Sequence, residues 1–202
     1  MKIYDTKTAP TPRRVRIFLA EKDIQVEYVQ VDLGAGENLS ASMRAKNPIG
    51  KIPILELDDG TCIGESDAIC AYFEAIQPEP YLFGQSAIEK AQVMMWQRQV
   101  EFCLFMQVGM CFQHSTGHFK DRMTPVPEYG KEAGINATKY LSVLEKRLAD
   151  EEFIAGPKFS IADITALCAI DFARVVQIRL GEKHQNVNRW YQQVSSRPSA
   201  KA

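Results

Sequence analysis

The run Asn47-Pro48-Ile49-Gly50-Lys51-Ile52-Pro53-Ile54-Leu55, followed by Gly64-Glu65-Ser66-Asp67-Ala68-Ile69, constrains the fold more than any other stretch of the chain. Gly50 permits a turn. Pro53 enters a short apolar strand without a backbone N–H, so it belongs at the strand's first residue or on an edge, where an Ile-Pro bond is open to the cis form. The backbone of Ile52 is then left to pair with something extended, such as a peptide. Glu65-Ser66 follows a second short strand and opens an apolar helix, whose free N–H groups suit a carboxylate. Lys51, the Ile52 backbone and the Glu65-Ser66 helix start thus offer a cation, a strand edge and an anion site. That combination fits a small zwitterionic peptide.

The rest of the N-terminal part alternates between periods of two and 3.6 residues. Lys2 to Asp5 reads as a strand and Pro12 as the start of a helix with Val15, Ile17, Phe18 and Leu19 inside. Arg13, Arg14, Arg16, Glu21 and Lys22 are assigned to its outer side. Gln25 to Val31 is a strand, and Glu37 to Ala45 a short helix. Ile52 to Leu57 and Thr61 to Ile63 flank Asp58-Asp59-Gly60, a hairpin signal, and Ser66 to Ile76 is a helix. The order strand-helix-strand-helix-strand-strand-helix describes an α/β domain.

Gln77-Pro78-Glu79-Pro80-Tyr81-Leu82-Phe83-Gly84 is punctuated as a linker. No convincing strand follows it. Ala87 to Phe112 is a long helix, apolar on several faces and therefore expected to be covered on several faces. Pro125-Val126-Pro127 opens a helix to about Asp150. Ser160-Ile161-Ala162-Asp163 is a capping box, leading a helix through Leu167, Cys168, Ile170 and Val175. A last helix carries Val187, Trp190, Tyr191 and Val194.

A net charge of −1 leaves no electrostatic footprint for nucleic acid or an anionic membrane. No apolar run approaches a membrane span, and Met1-Lys2-Ile3-Tyr4-Asp5 reads as a strand rather than a signal peptide. The five cysteines form no Cys-x-x-Cys and sit among apolar neighbours, which points to buried, reduced thiols in a cytoplasmic protein. His114 and His118 are read as a surface pair rather than metal ligands, so no metal is expected.

The Lys2-Ile3-Tyr4 strand, the Pro53 loop, the Glu65-Ser66 pair and the box at Ser160, in this order and spacing, resemble the cytosolic glutathione S-transferase family over nearly the whole chain. The resemblance implies a thioredoxin-like glutathione-binding domain over residues 1–77, a linker at 78–85 and an all-helical substrate-binding domain over 86–202. It also implies a homodimer, with the long helix bordering a substrate cleft and meeting the partner subunit. Ser66 and its N–H would take the γ-glutamyl carboxylate and Glu65 would face the ammonium. The Ile52 backbone, set by Pro53, would pair with the cysteinyl part, and Lys51 would meet the glycine carboxylate.

Glutathione chemistry needs the thiol as a thiolate, and a helix N-terminus with one hydroxyl donor lowers its pKa. The helix at Pro12-Arg13 supplies the dipole, and Arg13 adds positive potential. When the chain is aligned on Val15 to Leu19, the family's usual serine position falls on Ala9, which has no hydroxyl. Thr11 is the favoured replacement, with Thr8, Thr6 and Tyr4 as alternatives. Tyr4 reads as core, and Thr11 could instead be spent as a helix N-cap. Trp96, Phe102, Met106 and Phe112 are mostly core by default, with one or two lining an apolar pocket for the electrophile, near His114 and Phe119. The expected activity is transfer of glutathione to an electrophilic small molecule. The alternatives are a glutathione-dependent disulfide-bond reductase or peroxidase, and a non-catalytic interaction protein on the same fold.

Overall fold

A computed structural model describes residues 1–202, which form two compact units, Met1–Leu82 with Lys201–Ala202, and Phe83–Ala200.

The first unit is built on a four-stranded sheet of order β2-β1-β3-β4. β1 (Lys2–Asp5) lies parallel to β2 (Glu27–Gln30) and antiparallel to β3 (Ile54–Glu56), which pairs antiparallel with β4 (Cys62–Gly64). The hairpin closes where the Leu57 N–H donates to the Thr61 carbonyl at 2.8 Å. Helix α1 (Pro10–Glu21) starts two residues before the expected Pro12, because a proline at the first helical position has no N–H to lose. A short 3-10 turn (Glu37–Leu39) precedes α2 (Ala41–Lys46), and α3 (Ser66–Ile76) follows β4. Val15, Ile17, Phe18 and Leu19 of α1 and Ile69, Cys70 and Phe73 of α3 are buried. The sheet supplies Ile3, Ile54 and Leu55 to the core.

Two residues read as outward-facing are inside. Arg14 and Lys22 are 3% and 2% exposed. The Lys22 ammonium donates to the carbonyls of Gln77, Pro78 and Pro80 at 2.7, 3.0 and 2.9 Å and pairs with Glu74 at 2.7 Å. A helix C-terminus leaves carbonyls without intrahelical donors, and Lys22 meets those beyond α3 with one cation.

The second unit is all-helical. Its long rod is α4 (Ala87–Val100), a π-helical turn (Glu101–Phe105) and α5 (Met106–Ser115). α6 (Pro127–Asp150), α7 (Ile161–Ala173) and α8 (Gln185–Ser195) complete it. α7 is buried at almost every position, from Ile161 through Ile170. At its start the Asp163 carboxylate accepts the N–H and hydroxyl of Ser160 (2.9 Å each), the Ile154 N–H (2.9 Å) and the Trp190 indole N–H (2.8 Å). Burial pushes the Asp163 carboxyl up, against the pull of those donors.

The rod is less covered than its composition predicts: Ile88, Met94, Met95, Phe102 and Met106 are all exposed. Of the cysteines, Cys70, Cys111 and Cys168 are buried as expected, whereas Cys62 is half-buried and Cys103 exposed; all five are free. No helix is long and apolar enough to cross a membrane.

Candidate functional site

The loop between α2 and β3 is shaped by two buried asparagines. Asn38 donates to the Gly50 carbonyl at 2.6 Å, and Asn47 to the Lys51 carbonyl at 2.8 Å. Gly50 turns with φ +64, where a Cβ would stand 3.0 Å from Leu39 and 3.3 Å from the Asn38 carbonyl, so both space and conformation require glycine. The loop delivers Lys51 exposed, and Ile52 and Pro53 buried just ahead of β3, joined by a cis peptide bond.

Thr11 meets this loop. Its hydroxyl donates to the Ile52 carbonyl at 3.4 Å, a long and weak bond whose proton a stronger acceptor can take over. Thr11 is not the N-cap of α1; that position is Ala9, which has no side chain able to cap. The leading N–H groups of a helix lack intrahelical partners. Pro10 and Pro12 carry none, so the open donors at this helix start are those of Ala9 and Thr11. One backbone N–H, one hydroxyl and the positive end of a helix therefore coincide at Thr11. Arg13, half-buried, stands in the next turn of backbone.

The approach to α1 is held by Arg16, which pairs with buried Asp5 at 2.6 Å and donates to the carbonyls of Thr6 and Lys7 at 3.3 Å each. Tyr4 is bound elsewhere. Its hydroxyl donates to Glu56 at 2.7 Å, beside Lys46 at 2.6 Å, and Lys46 then Tyr4 hold the Glu56 carboxyl below the usual carboxylate range. Tyr4 also packs on the cluster of Val31, Met43, Ile52 and Ile54.

At the other end of the site, Glu65 is exposed and stands at φ 64, ψ 122, immediately before α3. A side chain held there costs about 1–3 kcal/mol of backbone strain. Ser66 is 2% exposed, and its hydroxyl oxygen accepts from the Arg14 guanidinium at 2.5 Å. Accepting that bond leaves the hydroxyl proton to donate to an anion, beside the open N–H groups of α3. Arg14 was missed by sequence reasoning, although it lies three and four residues before Ile17 and Phe18 and so shares their buried face.

The aromatic candidates of the second unit divide. Phe112 stacks edge-on with Phe119 and Phe172, at centroid distances of 6.0 and 5.1 Å, and lies 5.2 Å from the His118 ring. Trp96 and Phe102 instead lie under the guanidinium groups of Arg147 and Arg98, at 4.8 and 4.1 Å, and Met106 is exposed. His114 accepts the Val126 N–H at 3.0 Å, fixing the entry to α6. No group of three or more His, Cys, Asp and Glu side chains is arranged as for a metal ion.

The chain was compared with known proteins. Residues 3–81 match the family model of the glutathione S-transferase N-terminal domain, and residues 114–198 that of the C-terminal domain. The chain is 35% identical to glutathione S-transferase 2 of Saccharomyces cerevisiae over 205 residues, covering 100% of this chain and 88% of that one. The solved structure of Gtt2 from Saccharomyces cerevisiae superposes with a TM-score of 0.95 at 35% identity, covering 100% of this chain and 99% of that one. Elongation factor 1-gamma 2 of Oryza sativa subsp. japonica is 28% identical over 88% of this chain, but only 42% of its own length is matched. Likeness over the full chain, in sequence and in fold alike, places it: this protein belongs to the glutathione S-transferase family.

Proposed function

We propose that the protein is a glutathione transferase whose thiolate is formed at Thr11. The observation that carries this reading is the approach of the Thr11 hydroxyl to the Ile52 carbonyl at 3.4 Å. Ile52 is the residue whose backbone would pair with the cysteinyl part of glutathione, so a thiol bound there lies beside an uncapped helix start and a hydroxyl donor. The γ-glutamyl carboxylate takes the Ser66 hydroxyl and N–H, the ammonium faces Glu65, and Lys51 meets the glycine carboxylate. The thiol proton leaves to solvent. The Thr11 hydroxyl then turns its one proton from the Ile52 carbonyl to the sulfur anion, the Thr11 N–H donates beside it and Arg13 adds positive potential, and the sulfur forms a bond to an electrophilic carbon whose leaving group departs with the electron pair. Within the helical unit the exposed Ile88, Met95 and Phe102, seven residues apart along the long rod, offer a surface for a second copy of the chain.

A titration of the thiolate absorbance of the glutathione complex tests the assignment. Loss of a charge-assisted hydrogen bond of about 1.5–3 kcal/mol in Thr11→Val raises the bound thiol's pKa by roughly one to two units, while Thr11→Ser stays near wild type. An unmoved pKa in Thr11→Val transfers the role to the backbone N–H groups.

Ala9, which lacks the hydroxyl of the usual serine position, favours a second reading, a non-catalytic interaction protein. Turnover of any electrophile, disulfide or hydroperoxide in a glutathione-dependent panel decides against it.

A further inference from the structure

The π-helical turn Glu101–Phe105 interrupts the long rod with one residue more than an α-turn holds. Phe102 and Cys103 lie outward there, while Val100, Leu104 and Val108 stay buried. Helix α6 packs against this turn and brings Tyr140 to it.

Tyr140 is 7% exposed, and its hydroxyl has no hydrogen-bond partner, the Cys103 sulfur included. A buried phenol usually finds a partner, because leaving the group unpaired costs stability. Burial pushes the Tyr140 proton above its ordinary value, and negative charge on Cys103 pushes it further. The two groups are therefore close enough to feel each other, and the phenol is a donor at neutral pH. What this donor lacks is an acceptor. One oxygen added to the neighbouring sulfur would supply it.

We propose that Cys103 is an oxidation site, where a hydroperoxide converts the thiol to a sulfenic acid and the Tyr140 hydroxyl holds the new oxygen. The thiol first gives its proton to water. The thiolate sulfur then attacks one peroxide oxygen: the S–O bond forms as the O–O bond breaks, and the departing alkoxide or hydroxide takes a proton from water. The sulfur loses two electrons and the peroxide gains them. The oxygen left on sulfur accepts the Tyr140 O–H, a bond strengthened by any negative charge on it. A small thiol restores the site. It condenses with the sulfenic acid to a mixed disulfide with loss of water, and a second thiol frees Cys103 by exchange. Neither residue belongs to the proposed glutathione set, so this chemistry stands apart from the transferase reading. Cys62 offers a comparison within the same chain, since it is half-buried and its thiol donates to the Gly60 carbonyl at 3.5 Å.

The test exposes the full-length protein, in its native assembly, to hydrogen peroxide for timed intervals. Catalase then removes the peroxide, dimedone traps sulfenic acid, and peptide mass spectrometry locates the label. Cys103 carries the label well ahead of Cys62. Tyr140→Phe retains about tenfold less trappable sulfenic acid at Cys103, the effect of losing one hydrogen bond to a charged group. Thermal melts give an independent reading. The reduced Tyr140→Phe protein melts no lower than wild type, because the hydroxyl it loses is unpaired, whereas the oxidised variant melts below oxidised wild type. No label on Cys103, equal labelling of Cys62, or an unchanged yield in Tyr140→Phe each overturns the proposal. A lower melt of the reduced variant overturns it too, since the phenol would then already be bonded.

Discussion

Arg14 Nη2 donates to Ser66 Oγ at 2.5 Å, with both side chains buried, so α1 positions the first residue of α3. The two residues act as a unit in the proposed γ-glutamyl site. Ser66→Ala should weaken glutathione about ten- to hundredfold, the cost of a hydrogen bond to a charged group of about 1.5–3 kcal/mol. Arg14→Met should weaken it too, by releasing the serine hydroxyl from its orientation. The double variant should be little worse than the poorer single one. Calorimetry of all four proteins reads this directly, and full affinity in Ser66→Ala would remove the site assignment.

Lys22 is a buried cation whose partners are three carbonyls and one carboxylate. Replacing it with methionine takes the cation away from Glu74 and the three carbonyls, and breaking a buried pair in this way costs about 3–5 kcal/mol. The urea midpoint of Lys22→Met should fall accordingly, with part of the loss recovered in Lys22→Met/Glu74→Leu. A midpoint equal to wild type would mean that water already serves those carbonyls.

The box at Ser160 is structural, and the two ends of it are unequal. Ser160→Ala removes one cap, worth about 0.5–2 kcal/mol. Asp163→Ala also strands the Ile154 N–H and the Trp190 indole N–H, each an unsatisfied buried donor costing about 1–3 kcal/mol. Denaturant unfolding should rank Asp163→Ala well below Ser160→Ala. Equal losses would show that Trp190 gains little from its bond.

His184 sets an acid-side dependence. Burial, then the charge of Lys183, holds its imidazole below the usual histidine value, with Glu145 opposing. The folded protein therefore binds this proton less readily than the unfolded chain. The contribution to stability is complete above the unfolded value of about 6.5 and is lost as pH falls from there through the lowered folded value. Thermal melts between pH 7.5 and 5 should show a decline that is shallower in His184→Gln. Identical slopes would assign the decline to other groups.

The strands and helices of the N-terminal half were legible because their signals are local: Pro53, Gly50, the Asp58-Asp59-Gly60 turn and the opening of α3 each act within a few residues. The family resemblance was legible from their order. What escaped was non-local. Arg14 and Lys22 looked like solvent-facing cations, and their acceptors Ser66 and Gln77 lie 52 and 55 residues away. Asn38 and Asn47, which shape the Lys51 loop, gave no pattern at all, since an asparagine reads the same in a free turn and in a buried one. The π-helical turn at Glu101–Phe105 was hidden for a different reason. Val100, Leu104 and Val108 are buried at four-residue spacing, which an ordinary helix also allows. The alternative in which Thr11 caps its helix fails because Pro10, not Pro12, occupies the first helical position.

Glu65 bears on how such a protein could be improved or spoiled. Its backbone at φ 64 is a conformation glycine adopts freely and glutamate does not. A search that rewards heat resistance alone would favour Glu65→Gly, since the change relieves strain at an exposed position. The same change deletes the carboxylate proposed to face the ligand's ammonium. Endurance and binding would then part company at a single residue, and a sturdier variant would be the poorer binder.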